Sequence, residues 1–97
     1  MQFLTLTRRR TETFTDADFA PLIEQEAEQA RALYAEGFIR QIWHRGDLAG
    51  ACLLVEAGTT EQVRERLNTL PFVQAAMLEV VSIIPLRPYA GFGPRKS

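Results

Sequence analysis

The first residues of the chain combine Thr with apolar side chains, a mixture that favours a β-strand. Residues 3–13 carry this pattern, and the run Arg8-Arg9-Arg10 interrupts it. Three consecutive arginines indicate that the strand emerges from the protein at this end, where the charges are solvated. The sequence therefore predicts a first strand whose second half is partly exposed.

A long amphipathic helix is predicted next. Thr15 and Asp18 have the spacing of a capping box, with Asp in place of Glu. Apolar residues then recur at helical spacing from Phe19 to Tyr34. Gly37 follows and is a favourable place for a helix to end, because Gly adopts the left-handed conformation easily. We expect one continuous helix over this stretch.

The rest of the chain alternates between strand and helix patterns, separated by Gly and Pro. It predicts strands over 38–45 and 48–56 joined by a two-residue hairpin at Gly46-Asp47, a helix from Thr59 or Thr60 to Pro71, a strand over 77–84, and an extended segment from Pro85.

This order of elements indicates an α+β fold. A strand, helix, strand, strand, helix, strand sequence is typical of the ferredoxin-like βαββαβ sandwich, in which two helices cover one face of an antiparallel sheet. The length suits one domain. We therefore predict a single ferredoxin-like domain over residues 1–97, of which 85–97 form a C-terminal tail.

The predicted sheet has a second apolar face. Residues 48–55 and 80–84 are apolar at nearly every position, whereas a sheet with one wet side should alternate. Two helices can cover only one side, and exposed apolar patches of this size are uncommon in monomers. We expect a homodimer or larger homo-oligomer that packs two sheets face to face as a dimeric α/β barrel.

Composition narrows the class of partner. The chain has 46% hydrophobic and 24% charged residues, with 11 basic and 12 acidic side chains and a formal charge of -1. This balance predicts neither a nucleic-acid partner nor a membrane partner.

Met1–Thr7 is too short and too rich in Thr for a signal peptide, and the lone Cys52 lies in an apolar run. We expect a cytoplasmic protein with a small-molecule substrate.

Glu26 is the charged residue of the first helix that falls on its apolar side. At about 100° per residue it lies about 20° from Phe19, whereas Glu24 and Glu28 lie on the opposite face or its flanks. A carboxylate that faces the sheet is costly unless it is paired or has a shifted pKa. Two interpretations stay open: a catalytic acid or base, or a side chain that bonds an Arg or a backbone group.

Five further residues are candidates for the site. Arg40 and His44 share one strand face with Phe38 and Ile42, so Arg40 is a candidate clamp for a substrate carboxylate and His44 a candidate acid or base, unless it is only a strand-end residue. The other candidates are Trp43, as a substrate platform or a core or interface residue; Glu79, as a pocket residue or the partner of an Arg across the sheet; and Tyr34, as a hydrogen-bond donor.

Other kinds of site lack their sequence signals. One His and one Cys without ligand spacing argue against zinc, and no Gly-rich loop joins a strand to a helix as in a phosphate-binding site. We therefore expect no metal and no cofactor.

A family resemblance adds to these inferences. The stretches Glu26-Ala27-Glu28, residues 36–43, Leu70-Pro71-Phe72 and Leu78-Glu79-Val80 are similar to the muconolactone isomerase family over roughly residues 20–82. The resemblance implies a ferredoxin-like subunit that forms a dimeric α/β barrel, and an isomerase without a cofactor that moves a proton between carbons of an unsaturated lactone carrying a carboxylate. The chain departs from the family at Gln41, where that family typically has His.

The resemblance and the residues together favour an isomerase-like enzyme. In this hypothesis Glu26 moves the proton, Arg40 binds the carboxylate, and His44 or Tyr34 stabilises the developing oxyanion. One alternative is a non-catalytic binding or assembly module in which Glu26 and Arg40 form a buried pair. The other is a cofactor-free monooxygenase of the same barrel type.

Overall fold

A computed structural model describes residues 1–92 of the chain. Its elements, in chain order, are β1 (Gln2–Arg9), α1 (Asp16–Phe19), a 3₁₀ turn (Ala20–Leu22), α2 (Ile23–Ala35), β2 (Ile39–His44), β3 (Ala51–Glu56), α3 (Thr60–Leu67), α4 (Pro71–Gln74) and β4 (Leu78–Pro85).

The four strands form one antiparallel sheet in the order β2-β3-β1-β4. The central strand β1 places Phe3, Thr5 and Thr7 on the buried face, where the Thr5 and Thr7 hydroxyls donate to carbonyls of β3. Strands β2 and β3 add Ile39, Leu53 and Val55 to this core. The helices cover it with Leu33, Val63 and Leu67. The predicted ferredoxin-like α+β fold is confirmed.

The predicted single first helix is wrong, because the chain breaks at Pro21. Asp18 accepts a hydrogen bond from the Thr15 N–H at 2.8 Å, the contact that the acidic residue of a capping box makes, and a second one from the Thr15 hydroxyl at 3.1 Å. That helix ends after one turn at Phe19, and a 3₁₀ turn containing Pro21 leads into α2. Pro lacks the N–H that a continuous helix needs, so the two helices can take different directions.

The end of α2 follows the sequence prediction. Gly37 has φ of +86°. The N–H groups of Phe38 and Gly37 donate to the carbonyls of Leu33 and Tyr34 at 3.0 Å each, which is the pattern of a Schellman motif. The turn sends Phe38 into the core and starts β2 beneath α2.

The predicted two-residue hairpin between β2 and β3 is also wrong. A longer loop from Arg45 to Gly50 joins them, with His44 opposite Ala51. Arg45 makes a bidentate pair with Asp47 at 3.0 and 2.7 Å and reaches the Thr7 carbonyl at 3.3 Å. These contacts fold the loop back on β1.

Pro71 begins a helix instead of ending one. Helix α3 ends at Leu67 with Asn68 as its C-cap, and the short helix α4 begins at Pro71. Pro is favourable in the first turn of a helix, where its missing N–H has no intrahelical partner. The next residue, Phe72, therefore has an N–H at the start of α4 that needs an acceptor from elsewhere.

The outer face of the sheet is apolar, as the sequence predicts. Paired residues share a face, so Leu4 lies between Leu54 and Ile84 on the side away from the helices. Trp43 and Ile84 on this face are 47% and 43% exposed. The surface that consists of Leu4, Leu6, Trp43, Cys52, Leu54 and Ile84 is called the outer face below.

The C-terminal end continues past the sheet. The edge strand β4 reaches Pro85, after which Leu86 N–H still donates to the Gln2 carbonyl at 2.9 Å. The predicted tail over 85–97 lies partly outside the described residues, which end at 92.

Within residues 1–92, no helix combines the length and the apolar character needed to cross a membrane.

Candidate active site

A cleft of about 340 Å³ opens between helix α2 and the helix-covered face of the sheet. Its charged or titratable lining residues are Arg9, Glu26 and His44. The remaining lining is apolar or small and consists of Ile23, Ala27, Ala30, Ile42, Gly50, Ala51, Phe72 and Leu78. The cleft is therefore an apolar site with a few polar groups, as small-molecule sites usually are.

Glu26 lies on the cleft side of α2, where the helical wheel places it. One carboxylate oxygen, Oε1, accepts the N–H of Phe72 at 2.9 Å. This bond satisfies the open amide at the start of α4. No other hydrogen bond to the carboxylate is found within residues 1–92, so Oε2 is available to a bound molecule.

Burial controls the electrostatics of Glu26. Removal from water raises the pKa of the carboxyl group above its ordinary value, while the hydrogen bond from Phe72 and the charge of Arg9 oppose the shift. The half-buried carboxylate is thus a stronger base than an exposed glutamate.

The floor of the cleft is a smaller cavity of about 40 Å³. Glu26 lines both spaces, and Thr7 and Leu70 line the floor. The Thr7 hydroxyl is occupied by Ala51, whose N–H donates to it at 3.0 Å. Glu26 is therefore the ionisable group of this floor.

His44 reaches the same cleft from the sheet. It is the last residue of β2, pairs with Ala51 of β3, and is exposed at the cleft mouth. Gly50 lies next to it, and this loop approaches β1 so closely that a Cβ on Gly50 would lie 2.2 Å from the Thr7 carbonyl oxygen. The close approach brings the His44 end of β2 toward Arg9.

Arg40 does not share the face of Ile42 and His44, contrary to the sequence prediction. The pairing of β2 with β3 skips this residue, because Ile39 lies opposite Val55 and Gln41 opposite Leu54. Arg40 is the extra residue of a bulge, which interrupts the alternation of side chains. It is exposed outside the cleft, and residues 1–92 contain no ion pair between it and Glu26.

The remaining candidates lie apart from the cleft. Tyr34 is 65% exposed in a neighbouring apolar groove of about 220 Å³ that shares Ala30 and Ile42 with the cleft. Trp43 lies on the outer face opposite Cys52. Glu79 pairs across the sheet with Arg8, whose Nε lies 2.6 Å from Glu79 Oε1.

The predicted orientation of Glu79 also needs correction. Regular alternation along residues 77–83 predicts that it lies on one face with Met77, Val81 and Ile83. Strands β1 and β4 change register between Leu6 and Thr7, so that Val81 is skipped. Beyond this bulge the alternation is reversed, and Ile83 packs against the core while Glu79 is exposed.

Arg9 is the site residue that sequence reasoning missed. Its guanidinium carbon lies 4.7 Å from the centroid of the Phe19 ring and 5.4 Å from that of Phe72, within cation–π range. A strict alternation along β1 puts Arg9 on the buried face with Thr5 and Thr7, and this signal is present in the sequence. Treating the three arginines as one solvated run concealed it.

Metal ligands do not gather in the part of the chain that the structure describes. No three His, Cys, Asp or Glu side chains within residues 1–92 are placed to hold one ion.

Comparisons with known proteins agree with this architecture. The profile of the family described as muconolactone delta-isomerase matches residues 1–90. Among solved structures, 5-chloro-2-hydroxyhydroquinone dehydrochlorinase (TftG) from Burkholderia phenoliruptrix AC1100, in complex with 2,5-dihydroxybenzoquinone, is similar with a TM-score of 0.59 and 19% identity. The match covers 92% of this chain and 94% of that chain, and at this identity it supports the fold. Comparison with curated proteins found no significant match.

Proposed function

Since the chain belongs to the muconolactone delta-isomerase family, we propose that it is a cofactor-independent isomerase that shifts a proton within a small, carboxylate-bearing unsaturated lactone or a related compound. The observation that carries the proposal is the position of Glu26. Its carboxylate is half-buried in an apolar cleft, with one oxygen fixed by Phe72 and the other available.

The proposed reaction needs one group that takes a proton and returns it. Glu26 Oε2 removes a proton from a carbon conjugated with the lactone carbonyl, and the C–H electron pair moves into the conjugated system as an enolate-type intermediate. The protonated Glu26 then returns the proton to a different carbon, which completes the shift without an oxidant or reductant. A raised pKa suits this role, because the group must be both a base and an acid near neutral pH.

His44 has a supporting role in the proposal. It lines the cleft mouth and can donate a hydrogen bond to the oxygen on which negative charge develops. Tyr34 is less suited to this role, because it lies in the neighbouring groove.

The test compares two glutamates of the same helix. Glu26→Gln keeps an oxygen that can accept the Phe72 N–H but removes the base, so turnover of muconolactone, followed by proton NMR, should fall by at least about 10²-fold. The control Glu28→Gln changes an exposed glutamate and should retain activity. Equal turnover by Glu26→Gln and wild type would contradict the proposal.

Two further outcomes separate the alternatives. Lactone binding without turnover by the wild type would support a binding module. Oxygen uptake with electron-rich aromatic substrates would support a monooxygenase.

The proposal includes self-association. The outer face leaves apolar residues such as Trp43 and Ile84 without a cover in the single chain, and a second copy packed on it would form a dimeric α/β barrel. The cleft lies on the opposite side of the sheet and would stay accessible. We place the enzyme in the cytoplasm, where a lone thiol such as Cys52 stays reduced.

A further inference from the structure

We propose that Arg9 is the carboxylate-binding residue of the cleft, a role that the sequence pattern assigned to Arg40. The inference rests on the proposed function and names the part of the substrate that the cleft recognises: a carboxylate separated from the reacting carbon by a short spacer.

The first argument is that Arg9 lacks a protein partner. Within residues 1–92 its side chain makes no hydrogen bond and no ion pair, although it faces a cleft that contains Glu26. Five other arginines are occupied: Arg8 by Glu12 and Glu79, Arg10 by the Ala76 carbonyl, Arg31 by Glu24, Arg45 by Asp47, and Arg66 by Glu36. Arg40, Arg64 and Arg87 also make no such contact within residues 1–92, but they are exposed and do not line the cleft.

The second argument is that the guanidinium is held in place without using its donors. The rings of Phe19 and Phe72 contact it within cation–π range, and these two rings pack edge to face at 5.2 Å. Such contacts depend on the positive charge of the guanidinium and provide no hydrogen-bond acceptor oxygen, so its N–H donors have no acceptor within residues 1–92. A fixed planar fork with unused donors is suited to bidentate binding of a carboxylate.

The third argument is the relation of Arg9 to the base. Phe72 contacts both groups, since its N–H donates to Glu26 and its ring faces Arg9. The two charges are near enough for Arg9 to lower the pKa of Glu26, yet no ion pair joins them. A small molecule in the cleft can therefore place its carboxylate on Arg9 and the reacting carbon, a short spacer away, at Glu26 Oε2.

The experiment measures binding and not turnover. The probes are a saturated γ-lactone carrying an acetate side chain and the methyl ester of the same molecule, titrated into the full chain by calorimetry. Wild type should bind the acid at least about tenfold more tightly than the ester, because a hydrogen-bonded ion pair with Arg9 forms only with the acid.

Substitutions assign this preference to Arg9. Arg9→Met keeps an apolar stem against Phe19 and Phe72 and should bind acid and ester equally, with the ester affinity of wild type. Arg64→Met, which changes an exposed arginine of α3, should keep the full preference. If Arg9→Met does not fold, Arg9→Gln supplies a neutral planar group on a shorter stem for the same comparison.

Two outcomes would overturn the inference. An unchanged acid preference in a folded Arg9 variant would place the anion site elsewhere. An equal loss of acid and ester affinity would mean that Arg9 only supports the aromatic side chains. Glu26→Gln should retain the acid preference, so failure of Glu26 as the base can be distinguished from failure of the Arg9 subsite.

Discussion

The backbone N–H of Phe72 donates to Oε1 of Glu26 at 2.9 Å, across 46 residues of chain. This bond joins the start of α4 to the cleft side of α2. It gives Glu26 a structural role as well as the proposed chemical one, so the two interpretations of an inward carboxylate are compatible. The two roles use different oxygens and can be separated by substitution.

The structural role predicts different stabilities for two substitutions at Glu26. Glu26→Met keeps a side chain of similar length but leaves the Phe72 N–H without its acceptor, which should lower the free energy of unfolding by about 1–3 kcal/mol relative to Glu26→Gln. Urea unfolding at neutral pH measures the difference. Equal stabilities would show that the hydrogen bond contributes nothing.

Stability should also depend on pH through Glu26. Because burial raises the pKa of this group in the folded state, the folded protein binds more protons than the unfolded chain between the unfolded pKa, about 4.3, and the folded pKa. The free energy of unfolding should therefore decrease across this interval as pH rises, relative to Glu26→Gln, and then become constant. Thermal or urea unfolding of both proteins from pH 4 to 8 tests the sign, and the opposite slope would contradict a raised pKa.

Much of the fold follows from short-range patterns. The apolar repeat of α2 places Glu26 toward the sheet, and Gly37 ends the helix because its φ of +86° suits glycine. The apolar outer face can be predicted from the sequence because residues 48–55 and 80–84 are apolar at nearly every position. A strand with one solvated face would alternate between apolar and polar residues. These features depend on spacing and on the chemistry of single residues.

The parts that were missed depend on tertiary contacts. The bulge at Arg40 changes which side chains of β2 reach the cleft, and no local signal marks it. Pro71 begins a short helix whose next amide is satisfied by the Glu26 carboxylate on another helix, a contact that the local sequence does not show. Arg9 differs, since alternation along β1 was enough to place it on the buried face with Thr7.

Gly50 is predicted to be necessary for the shape of the cleft. A Cβ at this position would lie 2.2 Å from the Thr7 carbonyl oxygen and 2.9 Å from the Cα of Arg8. Both contacts are with backbone atoms, so Gly50→Ala must move β1 or the loop. The substitution should lower the free energy of unfolding by about 1–3 kcal/mol or more.

The matched control is in the same loop. Gly46→Ala places its Cβ where no atom lies within 4 Å, so its stability should stay close to that of wild type. Urea unfolding of both variants gives the comparison, and equal effects at the two glycines would contradict the role assigned to Gly50.

The outer face predicts how association can be broken. Leu54 lies between Leu4 and Gln41 on this surface, so Leu54→Lys would bury an unpaired charge in the proposed dimer at a cost of about 3–5 kcal/mol. Sedimentation velocity should show monomers of Leu54→Lys at concentrations where the wild type is a dimer or larger. Asn68→Lys adds the same charge at the exposed end of α3 and should leave the assembly unchanged. A monomeric wild type would contradict the proposed dimer.

The central claim is that Glu26 is the base of the cleft, and its titration can be observed in two independent ways. Carboxyl ¹³C NMR of glutamate-labelled protein, with the Glu26 signal assigned by its loss in Glu26→Gln, gives the pKa of this group. The acidic limb of kcat/KM gives the pKa of the essential base in the free enzyme. We predict the same midpoint from both measurements, above the ordinary glutamate value; two different midpoints, or a Glu26 signal that titrates in the ordinary range, would contradict the claim.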